Sequence, residues 1–253
     1  MQTKKQKQEQ DSLVFGLRPV MEAISAGKEI DKLFVQKNLK GDLYNQFMGL
    51  VKQHNIPFQY VPLEKLNRLC SKTHQGVVGY ISIISYYSIK DVLSQIVEEN
   101  KMPLLLILDR ITDVRNFGAI ARTAECADVD AIIIPSTGAA QINADALKTS
   151  AGALTKLKVC KENSLTKTID YLSKEGVQII ACTEKANDFY YEIDYTLPTA
   201  IIMGSEENGI GNDLLQKAKY KAKIPIKGKI SSLNVSVASG IILYEAVSQR
   251  TLV

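Results

Sequence analysis

The sequence predicts a two-part α/β protein: a small α/β domain followed by a larger one built on a parallel sheet. Three observations carry that prediction. From Pro103 onward, short and nearly continuous apolar runs alternate with helical patterns, as strands buried on both faces by helices require. Residues 13–81 read as a separate small α/β unit, and the sequence turns polar between Ser85 and Met102. The chain has 253 residues, 45% hydrophobic and 23% charged, which is enough for one large domain or two ordinary ones.

Taken in order, residues 1–12 form a glutamine-rich tail with Lys4, Lys5 and Lys7. It has no apolar residue between Met1 and Leu13, so it is expected to be a disordered basic tail or an arm adding phosphate contacts. Residues 13–84 form the first domain. Leu17–Ala26 is a helix ended by Gly27, Lys32–Gln36 a strand, Gly41–His54 an amphipathic helix and Pro57–Val61 a strand. Pro62 opens a helix that buries Leu63, Leu66 and Leu69, and Gly76–Ser82 closes the unit as a strand. Residues 85–102 are expected to be a linker containing a short helix at Ile89–Glu98. In the second domain, residues 103–253, strands are expected at Leu104–Leu108, Ala131–Ile134, Leu157–Lys161, Val177–Cys182, Ala200–Met203 and Ala222–Ile226. Helices are expected at Asn116–Ala127, Ala144–Ser150, Leu165–Lys174, Asp213–Ala218 and, strongly apolar, Leu233–Gln249.

Composition narrows the function. No run approaches the roughly 20 apolar residues that span a bilayer, and the polar N-terminus does not resemble a secretory signal, so a cytoplasmic protein without a membrane partner is expected. Cys70, Cys126, Cys160 and Cys182 lie far apart with no C-x-x-C pair, and only His54 and His74 could supplement them, so no metal site is expected. Both histidines lie in the first third of the chain, which argues against a Ser-His-Asp or Cys-His machine. The net charge of +4, from 31 Lys plus Arg against 27 Asp plus Glu, permits a nucleic-acid partner without demanding one.

Three segments of the second domain place small and polar residues just after a strand and beside a helix start, where open α/β sheets bind ligands. In Leu108–Ala124, Asn116 and Gly118 are expected to form a turn. Arg122 follows Asn116 by six residues, either reaching back to the same ligand or standing solvated on its helix. In Ile201–Gly211, glycines let backbone approach a ligand closely, and Glu206 is either a buried acceptor or a helix cap. Neither G-x-x-x-x-G-K-[ST] nor a G-x-G-x-x-G in strand context is present, so a triphosphate or dinucleotide cradle is not supported. In Ile224–Gly240, Ser231, Ser232 and Asn234 bracket the start of an apolar helix, and capping explains only one of the three.

The set N-x-G-A-I-x-R (Asn116–Arg122), M-G-S-E-x-x-G (Met203–Gly209) and I-P-I-x-G-x-x-S-S-L-N-V-S-V-A (Ile224–Ala238), in that order, resembles the three motifs of the SpoU (TrmH-type) branch of the SPOUT RNA 2'-O-ribose methyltransferases. The similarity covers about residues 103–250. T-H-Q-G-V-V-G-Y (Thr73–Tyr80) resembles the end of the RNA substrate-binding domain that many members carry. One departure is Asp113-Val114, where the family usually has Asp-Pro. The resemblance implies a SPOUT domain with a deep C-terminal trefoil knot, an exception to the rule that chains avoid knots. It implies S-adenosylmethionine as cofactor, held by Gly204, Ile224 and Leu233 with Thr183, Met203, Gly209, Ile226 and Ser232. The reaction side would be Asn116, Arg122, Glu206, Ser232 and Asn234. It also implies a homodimer through the last helix and, by the nearest members, methylation of a guanosine in the peptidyl-transferase loop of 23S rRNA. A tRNA-directed enzyme and a noncatalytic RNA-binding relative are the alternatives.

Overall fold

The computed structural model describes residues 13–251 of the chain, so the expectation for the tail at residues 1–12 lies outside the described residues. There are two compact units, one of the residues up to Ser85 together with Ile142–Ala144, the other of Tyr86–Gln141 and the residues from Asp145 onward.

The first unit is built from β1 (Leu13–Phe15), α1 (Leu17–Ser25), β2 (Ile30–Gln36), α2 (Asp42–Gln53), β3 (Phe58–Val61), α3 (Leu63–Leu69) and β4 (Val77–Ile81). The strands form one sheet in the order β1-β4-β2-β3, with β2 and β3 parallel and the other pairs antiparallel. Alternation along β2 sends Leu33 and Val35 to a core shared with Val20, Ile24, Phe47 and Val51 of α1 and α2. Phe34 points the other way, to a smaller core with Val61, Leu66, Cys70 and Val78. His74 is structural: its Nε2 pairs with Asn67 Oδ1 at 2.8 Å and its Nδ1 accepts from Gly76 N at 3.1 Å.

The second unit runs β5 (Tyr86–Tyr87), α4 (Ile89–Glu98), β6 (Leu104–Asp109), α5 (Val114–Cys126), β7 (Ala131–Pro135), α6 (Ala144–Thr149), β8 (Lys158–Glu162), α7 (Leu165–Lys174), β9 (Gln178–Cys182), β10 (Asp188–Phe189), β11 (Thr199–Gly204), α8 (Asn212–Lys217), β12 (Tyr220–Lys223) and α9 (Val235–Thr251). Its strands form an eight-stranded parallel sheet in the order β10-β12-β9-β11-β6-β7-β8-β5. Every residue of Leu104–Asp109 is buried, as a central strand covered on both faces must be. Among the described residues, no helix is long and apolar enough to cross a membrane, and no group of His, Cys, Asp or Glu could hold a metal.

Three expectations are corrected. The stretch 85–102 is no linker: β5 pairs with β8, and Ile89, Val92, Leu93 and Ile96 of α4 are buried in the main core. The last strand ends at Lys223, because its ladder with β9 stops at Ala222–Cys182 and Pro225 has no N–H to continue one. Helix α5 starts at Val114 rather than at Asn116, since Asp113 Oδ1 caps it by accepting from Arg115 N and Asn116 N, both at 2.8 Å. Gly118 therefore lies inside the helix and not in a turn. A Cβ there would stand 2.7 Å from Thr149 Cβ and 3.0 Å from the Ala146 carbonyl, so the glycine permits α5 and α6 to meet.

Arg250, in the last turn of α9, ties that helix to the strand starts. Its guanidinium donates to four carbonyls, Tyr195 at 2.8 Å, Met102 at 2.8 Å, Pro103 at 2.9 Å and Leu197 at 2.9 Å. Gln249 adds two backbone bonds, donating to Ile193 O at 3.0 Å and accepting from Tyr195 N at 2.9 Å. Burial lowers the pKa of Arg250, with Asp130 opposing the shift. Arg250→Ala is expected to cost about 2 to 3 kcal/mol, because carbonyls with charge-assisted bonds are left unpaired. The unfolding midpoint of the larger unit should then fall by roughly 5 to 10 °C in a thermal melt. Arg250→Lys, which cannot span four acceptors, should recover less than half of the loss.

Candidate active site

Strands β9, β11 and β12 end side by side, and a cavity of about 430 Å³ opens beyond their carboxyl ends, the ligand position of open α/β sheets. Its walls come from residues 182–185 after β9, 203–210 around the end of β11, 224–233 after β12 and the first turns of α9. The floor is apolar, with Met203, Ala222, Ile224 and Ile242, whereas the rim carries Thr183, Ser231 and Ser232. Cys182 lines the cavity, and burial pushes its thiol upward, so it stands there as a neutral thiol.

The 204–211 segment forms a closed turn. A Cβ on Gly204 would lie 2.2 Å from Gly209 C and 2.3 Å from Ile210 N, so two stretches of backbone are in contact there. The close approach expected of this glycine is thus made to its own chain. Ser205 and Gly209 exchange both backbone hydrogen bonds, at 3.2 and 2.9 Å, and Gly209 sits at φ +61°.

Two residues that sequence reading passed over hold this turn from below. Asp109, at the end of β6, accepts from Gly211 N at 2.8 Å. Arg110 adopts φ +57°, donates to Gly209 O at 3.2 Å and forks onto the Asp109 carboxylate. An arginine at positive φ is uncommon and strained. Its contacts span 99 residues of sequence, and a left-handed arginine gives no linear signal, so no motif could have revealed the pair.

At the mouth of the cavity, Glu206 Oε1 receives three N–H groups: Asn234 Nδ2 at 2.7 Å, Asn116 Nδ2 at 3.2 Å and Val235 N at 3.4 Å. Asn234 Nδ2 also reaches Asn116 Oδ1 at 3.0 Å. Asn234 caps α9, its Oδ1 accepting from Ser236 N at 3.0 Å. Glu206 is exposed and not a buried acceptor. Its carboxylate instead sits at the positive end of α9, so the capping and cluster roles coincide.

The structure therefore brings Asn116, Glu206 and Asn234 into one hydrogen-bonded cluster. It places Thr183, Met203, Gly204, Gly209, Ile224, Ile226, Ser232 and Leu233 in the cavity wall beside it. Arg122 stands apart, exposed on α5, its side chain making no hydrogen bond or ion pair among the described residues. Next to it, Thr123 faces Gly240 where α5 packs on α9.

Because a methyl at residue 204 meets backbone, Gly204→Ala is expected to open the 204–211 turn. Arg110→Gly, which relieves the positive φ but removes the tether, is expected to loosen it less. Hydrogen exchange at the Gly209 and Gly211 amides should be fastest in Gly204→Ala, intermediate in Arg110→Gly and slowest in the wild type. Unchanged exchange in Gly204→Ala would contradict the contact.

Residues 103–244 match the SpoU rRNA Methylase family, and residues 13–87 match the family described as RNA 2'-O ribose methyltransferase substrate binding. YacO of Bacillus subtilis (strain 168), described as a TrmH family tRNA/rRNA methyltransferase, is 31% identical over 242 residues, covering 96% of this chain and 97% of YacO. A protein of Staphylococcus aureus (strain MSSA476) given the same family description is 32% identical over 241 residues, with 95% and 97% covered. The SpoU methyltransferase AviRb from Streptomyces viridochromogenes, solved with AdoMet, has a similar fold at TM-score 0.62 and 23% identity, with 98% of this chain and 94% of that chain covered. The A. aeolicus TrmH/SpoU tRNA modifying enzyme superposes with TM-score 0.56 at 28% identity, covering 64% of this chain and 85% of its own. With both of its units matched in order, this chain belongs to the SpoU rRNA methylase family of RNA methyltransferases and carries that family's substrate-binding domain ahead of the catalytic one.

Proposed function

We propose that the cavity binds S-adenosylmethionine and that the protein methylates the ribose 2'-hydroxyl of a guanosine in the peptidyl-transferase loop of 23S rRNA. The observation that carries this reading is the Asn116–Glu206–Asn234 cluster at the mouth of a cavity walled by the motif residues. The residues suit such a cofactor: an apolar floor for the adenine, backbone groups of Gly204, Ile224 and Leu233 for its edge, and Thr183 and Ser232 for its polar parts. Bound there, it supplies an electrophilic methyl group that needs no metal.

The chain's own residues then orient and polarise. Three N–H groups hold Glu206 in place, and its charge faces the mouth where the hydroxyl must enter. Arg122 grips the adjacent phosphate and polarises the 2'-hydroxyl. A guanidinium stays protonated in proteins, so the proton leaves to phosphate or water. The stretch between Asp213 and Glu245, which includes the wall residues 224–233, contains six lysines and no carboxylate; Lys217 is paired with Asp170, and the others suit an approaching RNA backbone.

The same reading makes the protein a cytoplasmic homodimer with a trefoil knot threaded by about Ala200–Leu233. Helix α9 supports the dimer, since it leaves Val237 and Tyr244, seven residues apart on one face, each 51% exposed. A partner seated on that face would lie next to Arg122. A tRNA substrate is the second reading, favoured by the A. aeolicus tRNA enzyme, but that match covers only 64% of this chain. Residues 13–87 match an RNA substrate-binding family whose description names neither rRNA nor tRNA, and the full-length relatives are described as tRNA/rRNA methyltransferases.

Mapping of ribose methylation on rRNA and tRNA from cells with and without the gene should show loss at one 23S guanosine; loss at a tRNA position instead would establish the second reading. A fragment starting at Tyr86, which keeps α4 in its core, should retain S-adenosylmethionine affinity by calorimetry while methylating rRNA far more slowly. Arg122→Ala is expected to lose roughly 100-fold or more in single-turnover rate with cofactor affinity nearly unchanged. Arg122→Lys should stay slow with no new titration, because it lacks the bidentate fork. A rate that instead rises with pH would make residue 122 the general base.

A further inference from the structure

We propose that the α3-covered face of the first unit is where this protein grips the phosphate backbone of its RNA, through Lys32, Lys65 and Lys72. This rests on the RNA reading above and assigns it a surface. The four-stranded sheet is covered unequally. Two helices, α1 and α2, close one face, whereas the seven-residue α3 alone lies on the other. Across that second face Phe15, Val78 and Phe34 form one row over β1, β4 and β2.

The row is roofed by ammonium groups. Lys32 Nζ lies 5.2 Å and Lys65 Nζ 5.1 Å from the centroid of the same Phe34 ring, so the two charges are at most about 10 Å apart. Lys72 Nζ stands 5.5 Å from the Phe15 ring. The rings attract each cation, but they do not neutralise the mutual repulsion of cations gathered over one patch. No ion pair or side-chain hydrogen bond among the described residues engages the three ammoniums. A row of anions along a polymer would complete the arrangement.

Charge bookkeeping points to the same unit. Residues 13–87 hold nine Lys or Arg and five Asp or Glu, a surplus of four, equal to the net +4 of the whole chain. The rest of the sequence sums to zero. The surplus therefore sits on the part that matches a substrate-binding family, and three of its nine cations converge on this one face.

The test is the salt dependence of RNA binding, since each lysine on a phosphate releases counterions and contributes about 0.7 to 0.9 to the slope of log K against log salt. The probes are unmethylated transcripts of the 23S peptidyl-transferase region and of a tRNA, with the circular dichroism and thermal melt of each variant against the wild type as the check that the first unit is folded. The double variant Lys32→Gln/Lys65→Gln should flatten the slope by roughly 1.4 to 1.8. Lys28→Gln/Lys52→Gln, the same charge change outside this face, should leave it nearly unaltered. Lys32→Arg/Lys65→Arg should restore the wild-type slope. An unaltered slope in the first variant, or equal flattening in the first two, overturns the assignment while leaving RNA binding intact. A wild-type protein that binds neither transcript would overturn the RNA reading itself.

Discussion

The geometry of the catalytic unit hangs on backbone meeting backbone at Gly204. Because the Gly209–Ile210 peptide occupies the space of any Cβ at 204, the chain leaving β11 turns back over its own strand end. That reversal aims Glu206 at the N-terminus of α9 and at Asn116 on α5, so one carboxylate joins three segments distant in sequence. Asp109 and Arg110 brace the turn from the neighbouring strand, and Arg250 and Gln249 fix α9 at its far end. A helix held at both ends leaves the cavity wall few ways to relax, which favours a preorganised ligand site over one assembled on binding.

Much of this was legible in the sequence because the physics involved is local. Fully buried parallel strands announce themselves as unbroken apolar runs, so Leu104–Leu108 and Ala131–Ile134 were readable to within a residue, and the helical spacing of Leu165, Ile169 and Leu172 gave Leu165–Lys174. Failures fall where a partner distant in sequence decides the outcome. Three-residue β1 and two-residue β10 exist only through pairing with β4 and β12. The stretch 85–102 looked like a linker because α4 buries only one face, so its average polarity hides the four residues that join the main core. At Gly118 and Gly204 the need for glycine was readable but its reason was not, since the group that a Cβ would strike is tertiary in both cases.

The site residues show the same division. Asn116, Glu206 and Asn234 were recognisable as a set through the order of three motifs, and the structure supplies the geometry that unites them. Asp109 and Arg110 left no trace in any pattern, because an arginine at φ +57° is specified by what it touches. Arg122 is the opposite case, a residue singled out by motif that the single chain leaves exposed and unengaged.

That contrast between fixed and free polar groups follows from what each must meet. Glu206 is bound by three N–H groups, so its position is settled before any ligand arrives, as a small and invariant cofactor allows. On the proposed reading, Arg122, Lys32, Lys65 and Lys72 would instead give up rotamer freedom on contact with phosphate. Binding weakened by that entropy suits an enzyme that must release a large modified RNA after each turnover. Counterion release supplies affinity without reading sequence. Discrimination among RNAs therefore has to come from the shape of the RNA rather than from its phosphates.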